Sequence, residues 1–419
     1  GNGNTANGLQ ALRENTTGNG NTAMGFQARL LNTIGEGAVA IGYEALSQGD
    51  HPTNATAVGY QAFYDAQGSN CTAVGYQALF GGKGNDNVAV GSLAMYTNFG
   101  GSENVAVGAR ALYSNNGGTY NVAIGVNSLS TGSAYYNTGV GYNALANSLS
   151  GTNTGVGAFT MAQNTSGFSN CALGTASLYN NTTGQNNTGI GFQAGFYNVT
   201  GSNNVVMGHN AMESNTSGSN NTVIGYQANV STGDLTNAAA FGNMAIVDAS
   251  NKVRIGNSAV TVIEGQVPFT TPSDGRYKFN VEENVKGLDF ILQLRPVTYQ
   301  FDVQRFDQDM DQSVSLKADA YQEATAMRRS GFIAQEVENA ATRSGYNFSG
   351  IIIPKTSSEH YSLSYDAFVV PLVKAVQEQQ QVIDAQQNKM KDQDKKINDL
   401  QLQLNELKKM ITDQNKKPN

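Results

Sequence analysis

Glycine recurs through the first 256 residues with a spacing that admits few folds. Gly8, Gly25, Gly42, Gly59, Gly75, Gly91, Gly108, Gly125, Gly141, Gly157, Gly174, Gly191, Gly208, Gly225 and Gly242 are separated by 16 or 17 residues at every step. Fifteen unbroken copies mark a repeat architecture. A shorter terminal copy carries Gly256. The unit reads Asn-Thr-Ala-x-Gly-x-x-Ala-Leu. Asn lies four residues before the glycine in eleven copies, and Ala lies three after it in twelve, with Ser128, Thr160 and Ser177 as the exceptions. The spacers are Asn, Thr, Ser and Gly, the residues of turns.

A unit of this length is too short for a helical hairpin. It fits two short strands and two turns, one coil of a β-roll or β-helix. Small residues at fixed positions let coils approach, and an Asn repeated at one position can form an amide ladder along the axis. One coil buries too little to be stable, so stability comes from stacking on neighbours. Fifteen coils at about 4.7 Å each make a rod of roughly 70 Å. The apolar residue after the alanine (Leu12, Leu46, Leu79, Leu112, Leu129, Leu145, Leu178) forms a stripe expected to be buried against other chains. That stripe points to an oligomer.

Charge divides the chain. Up to residue 250 there are four basic residues (Arg13, Arg29, Lys83, Arg110) and ten acidic ones, while 21 basic and 22 acidic residues follow. So few cations leave no electrostatic footprint for nucleic acid, which is excluded as a partner. No run of eighteen apolar residues exists, so no membrane span is expected. Gly1 opens inside a repeat without a signal peptide, as a piece of a longer protein would. Cys71 and Cys171 lie six repeats apart, roughly 28 Å at one strand spacing per coil. They cannot pair within a chain and read as small buried packing residues. Calcium is not expected either, because acidic residues do not recur in register, and no cofactor or metal is called for. Aromatics follow the glycine in several copies (Phe26, Tyr43, Tyr60, Tyr76, Tyr142, Phe192, Tyr226). They read as surface rings stacked from coil to coil in preference to a glycan-binding ladder.

Where the repeats stop, Val260-Thr261-Val262-Ile263 reads as one more strand, Pro268 and Pro272 break the pattern, and Ser273-Asp274-Gly275-Arg276-Tyr277-Lys278 follows. A serine alcohol needs a base to attack an amide. Lysine can serve once burial holds it neutral, and Lys278 is the nearest candidate. A serine five residues before a lysine is by itself an ordinary solvated turn.

The wider region gives that turn more meaning. Ser273–Lys278 resembles the Ser-Asp-x-Arg-x-Lys signature of the endosialidase-type intramolecular chaperones. Gly287–Ile291, Leu294–Tyr299, Gly331–Glu338 and Tyr361–Asp366 resemble further stretches of that family in the same order. The resemblance implies a compact mixed α/β module that trimerises, assembles the upstream β-structure and then cuts itself away. It implies Ser273 as nucleophile, Lys278 as general base and Pro272-Ser273 as the scissile bond. Asp274 and Arg276 match signature positions and are expected to be structural. The repeats resemble the heads of trimeric autotransporter adhesins, which are left-handed parallel β-rolls assembled as trimers, and repeats of phage and bacterial tail-fibre-like proteins.

The chain ends in heptads. Val369, Val376, Ile383, Met390, Ile397, Leu404 and Ile411 recur every seven residues, followed three later by Leu372, Gln379, Gln386, Gln393, Leu400, Leu407 and Gln414. This is a coiled-coil seam of roughly 65 Å at about 1.5 Å per residue. The expected architecture is mainly β and homotrimeric. A β-roll spans 1–258, a connector 259–272, a chaperone 273–368 and a trimeric coiled coil 369–415. The expected function is an extracellular fibre, either a virion tail fibre or a bacterial surface adhesin, which contacts a cell-surface receptor or glycan. Its module acts once, in cis, as a serine endopeptidase. The main alternative is a purely adhesive fibre with a permanent, uncleaved trimerisation domain. A glycan-degrading spike needs a pair of carboxylates in a cleft, and the repeats hold too few acids in register.

Overall fold

A computed structural model describes residues 1–49, 51–132, 134–310, 318–356 and 359–414. It divides into two compact units, Gly1–Thr261 with Val303–Ala324, and Val262–Asp302 with Thr325–Asn419. Residue 415, the expected end of the coiled coil, lies outside the described residues.

The first unit is a solenoid of about fifteen turns. The three residues before each anchoring glycine form a strand, and sixteen such strands, from Thr5–Asn7 to Val253–Ile255, stack into one parallel sheet. Pairing is in register, for example Val122↔Val105, Ala123↔Ala106 and Ile124↔Val107. The glycine is required. At Gly125 φ is +127°, and a Cβ would lie 2.5 Å from the Gly141 carbonyl oxygen of the next coil. A second strand per coil is expected, but among the described residues it forms only as the two-residue pairs Thr97–Asn98 with Ser114–Asn115 and Asn229–Val230 with Ile246–Val247. Elsewhere that side alternates into the left-handed region, as at Gln27 (φ 53°) and Arg29 (φ 51°). This costs about 1–2 kcal/mol per non-glycine residue. It keeps the backbone groups aimed along the axis, so that Gln27 N reaches Leu9 O at 2.9 Å and Arg29 N reaches Ala45 O at 2.8 Å.

The core lies inside each chain. The middle strand residue is small (Ala23, Ala40, Ala57, Ala73, Ala89, Ala106), and the residue four after the glycine fills the remaining space. Leu46, Leu79, Leu112, Leu129, Leu145 and Leu178 are 0–1% exposed. The leucine stripe therefore faces the interior of its own coil and not other chains. The coil is closed and narrow, and most of its large apolar filling comes from this position. The outward apolar surface is instead the outer face of the sheet, one residue before each glycine (Met24, Ile41, Val107, Ile124, Leu173, Met207), where exposure is 37–49%.

Two amide ladders replace further apolar filling. In the first, Asn104 Nδ2 donates to Gly118 O at 2.9 Å, and Asn104 Oδ1 accepts from Asn121 N at 2.9 Å. Cys71 occupies this position in its own coil, and its Sγ donates to Gly84 O at 3.3 Å, much as the Asn does. Cys171 stands one residue later, on the outer face, and is exposed; only Cys71 is a buried packing residue. The second ladder, seven residues after the glycine, links Asn164, Asn181, Asn198 and Asn215 through bonds of 2.7–3.1 Å. Where it is interrupted at Gly49, Arg29 enters from the leucine position and Nη2 donates to Asn32 Oδ1 at 3.1 Å. Desolvation lowers the Arg29 pKa to about 10.

The helices are numbered along the chain. α1 (Leu288–Ile291), α4 (Ala334–Ser344) and α5 (Val369–Gln414) belong to the second unit. α2 (Val303–Met310) and most of α3 (Ala318–Ala326) belong with the solenoid. In the second unit Val297–Gln300 pairs antiparallel with Arg328–Gly331, and Ile351–Ile352 with Ser362–Leu363. Phe290, Val337, Ala340, Phe348 and Phe368 form its core. α5 is a single 46-residue helix whose heptad positions remain open, with Val376 64%, Met390 61% and Leu400 64% exposed.

Candidate active site

The candidate site is a short turn in an open segment. Residues 261–284 are all exposed, and their only regular element is the single 3-10 turn Gly275–Tyr277. Val260–Ile263, expected as a strand, is not one. Asp274 begins the turn, its Oδ1 accepting from Arg276 N at 2.9 Å. The Arg276 guanidinium then folds back, Nε donating to Asp274 Oδ2 at 2.9 Å and Nη2 to the same oxygen at 2.5 Å. The Arg276 side chain first, and its backbone N–H second, hold the Asp274 carboxyl below the usual carboxylate range. Lys278 N closes the turn on Gly275 O at 3.2 Å.

This turn brings the two candidate catalytic groups together. Lys278 Nζ lies 2.7 Å from Ser273 Oγ. The hydroxyl therefore sits beside an amine and next to the Pro272-Ser273 bond. The single chain does not bury the pair, and a lysine gives up its charge only when desolvated. It also offers the pair no enclosed set of donors for an oxyanion. The turn brings the two candidate groups together without burying them. Among the described residues, no group of three or more His, Cys, Asp or Glu could hold a metal.

The downstream motifs contact one another. Gly287 starts α1 where a Cβ would lie 2.7 Å from Ala375 N of α5, and Leu288 N donates to Glu378 Oε2 at 2.8 Å. Arg295 pairs with Glu336 of α4, Nε to Oε2 at 3.1 Å and Nη2 to Oε1 at 2.5 Å. At Gly331 a Cβ would meet the Tyr365 ring, whose Oη accepts from Phe332 N at 3.0 Å. Tyr361 Oη donates to Glu338 Oε2 at 2.9 Å, and this bond raises the Tyr361 pKa. Four stretches spread over eighty residues thus hold one small fold together. α2, α3 and the second Asn ladder were not read from the sequence. The ladder has a signal there, because Asn stands seven after the glycine in eight copies.

The exposed aromatics stack along the axis. Phe26–Tyr43, Tyr43–Tyr60 and Tyr60–Tyr76 have centroids 5.0, 5.2 and 5.5 Å apart with interplanar angles of 17°, 7° and 11°. Their faces are spent on each other, which leaves little for stacking a sugar.

Residues 273–346 match the family described as chaperone of endosialidase. The match begins on Ser273 and includes the whole turn, so this part of the chain is a chaperone-of-endosialidase domain. Among solved structures the chain is similar to the collagen-binding domain of the Yersinia adhesin YadA. That similarity is at 16% identity over 51% of this chain and 80% of that one, with a TM-score of 0.21. No curated protein matches the chain.

Proposed function

We propose that the chain is a homotrimeric extracellular fibre whose C-terminal module assembles it and then leaves by cutting the Pro272-Ser273 bond. The observation that carries this reading is the 2.7 Å contact between Lys278 Nζ and Ser273 Oγ at the first residue of a chaperone-of-endosialidase domain. Neutral Lys278 takes the Ser273 hydroxyl proton as Oγ attacks the Pro272 carbonyl carbon. The amide nitrogen leaves with that proton, and an ester links Pro272 to Ser273 Oγ. Water hydrolyses the ester, freeing a Pro272 carboxylate and restoring the hydroxyl. Asp274 and Arg276 are positioning residues that hold the turn.

Three surfaces support assembly. The outer sheet face carries no charged side chain in its two outward rows from Thr5 to Ile255. The α5 seam is open and apolar from Val369 to Val376 and from Ile397 to Ile411, with Gln379, Gln386 and Gln393 between. Phe269, Tyr277, Phe279 and Val281, which flank the dyad, are 79–92% exposed. Each is apolar surface that water does not favour, and three chains joined in register would cover it. The same joining would bury the dyad and so couple cutting to assembly. A receptor, glycan or protein, would contact the remaining side faces of the repeats. The open position of the dyad in one chain also favours a second reading, a module that never cuts and remains as a permanent cap.

Assembly is tested on the full chain by native mass spectrometry with thiol labelling of Cys171. Three chains per particle and a Cys171 that resists labelling until denaturation are expected. A monomer with a reactive Cys171 would end the trimer reading.

A further inference from the structure

The last coil of the solenoid is started and not finished. Its sequence is complete, for Gly256-Asn257-Ser258-Ala259-Val260 repeats the Gly-x-x-Ala-apolar unit. Val260-Thr261 stands four and five residues after the glycine, as Asn229-Val230 and Ile246-Val247 do after theirs. Those two pairs form a two-stranded parallel sheet on this side of the solenoid, and Val260-Thr261 would be its third strand.

The backbone departs from the pattern at Ser258. In preceding coils the second residue after the glycine donates its N–H to the previous coil, as Gln227 N does to His209 O at 2.9 Å and Met244 N to Tyr226 O at 2.8 Å. The next acceptor, Asn243 O, is taken by the Asn257 side chain, with Nδ2 at 2.9 Å. Gly256 has φ +76°, against +144° at Gly225 and +119° at Gly242. Val260 N turns back to Asn257 O at 3.2 Å, and its side chain is 42% exposed.

α2 occupies the edge the coil would cover. Met310 packs on Ile246, with Met244 and Phe306 completing the cluster. The Arg254 guanidinium stands 5.7 Å from the Phe306 ring centroid. Ser258 Oγ donates to Asp307 Oδ2 at 2.5 Å, so the helix holds the residue at which the coil stops. α2 covers the apolar edge as the missing strand would, and Asp307 takes the Ser258 hydroxyl.

We infer that α2 is a placeholder: it holds the sixteenth coil open, and its departure lets Ser258–Thr261 close onto Met244–Val247. The coil would then end the fibre with its own chain, and the outgoing helix could not return to a covered edge. This rests on the proposed release of the module only for when it happens in the life of the fibre. The structural exchange itself requires no cut.

The test uses hydrogen–deuterium exchange on the full chain carrying Ser273→Ala, with and without Phe306→Asp. Neither chain can cut at Ser273, so the result is independent of autoproteolysis, which the intact mass of the wild type reports separately. Phe306→Asp is expected to slow exchange at Ser258 and Ile246 by about tenfold or more, since Ser258 N would donate back to Asn243 O and Ile246 N forward to Ala259 O, as Asn229 N does to Ala245 O. Unchanged or faster exchange there, with the amides of Met212–Val230 still protected, would overturn the inference. If Phe306→Asp costs those amides their protection, Met310→Ala is read by the same criterion.

Discussion

The repeats and the C-terminal module solve opposite problems. A solenoid coil satisfies itself within one chain: its leucine is buried, its asparagines are bonded to the coils on either side, and its backbone donors point along the axis. The module satisfies its own small core but leaves a 46-residue helix with open apolar heptad positions and the Ser273–Lys278 pair in solvent. The first region can be understood from a single chain. The second leaves apolar side chains of α5 and of residues 269–281 exposed in the single chain.

That contrast can be broken most severely at an anchoring glycine. Gly125→Val places a branched side chain at φ +127°, against the next coil's backbone. It should cost several kcal/mol, roughly 3 or more, and thermal melting followed by circular dichroism would show the solenoid unfolding early or failing to form. Leu112→Ala comes next at about 2–5 kcal/mol, since the residue is 0% exposed and the narrow coil cannot collapse on the cavity. If leucine instead served an interface between chains, melting would become concentration-dependent while the isolated coil kept its stability. Asn104→Ala should cost about 1–3 kcal/mol, because it strands Asn121 N in the core, while Gly118 O keeps the Asn115 Nδ2 donor at 2.8 Å.

On the other side of the comparison, Leu400→Asp should leave the melting of the folded solenoid unchanged and abolish oligomers in sedimentation. Oligomers that survive it would remove α5 from the account. The smallest effect belongs to the exposed Arg295–Glu336 pair. Arg295 holds the Glu336 carboxyl below the usual glutamate value, through its hydrogen bond first. The folded pKa lies below the unfolded one, so the contribution is present above the ordinary glutamate pKa and lost as pH falls through the folded value. Arg295→Ala should therefore lower the module's stability slightly at neutral pH and leave it unchanged at acid pH, which flattens the acid limb of its stability profile.

The sequence made legible whatever repeats. Period, glycine, first Asn ladder and outward aromatics can be read from it because each is imposed anew in every coil. The direction of the leucine stripe could not be read. An apolar residue at one position per coil looks the same whether it points inward or outward, and only the closure of the coil decides. The turn Ser273–Lys278 showed a hydroxyl and an amine five residues apart, but nothing in the spacing required Arg276 to fold back on Asp274 and close the gap. α2 escaped notice for another reason. Its partners Met244 and Ile246 lie sixty or more residues away in sequence and Ser258 49 residues away, and their own repeat positions already had an assigned neighbour.

The most direct measurement is the intact mass of the expressed chain, wild type beside Ser273→Ala and Lys278→Ala. The account predicts two fragments divided before Ser273 in the wild type, and one uncut chain in both variants. A wild type of full mass in an assembled trimer would contradict it, and the module would then be a permanent cap on the fibre.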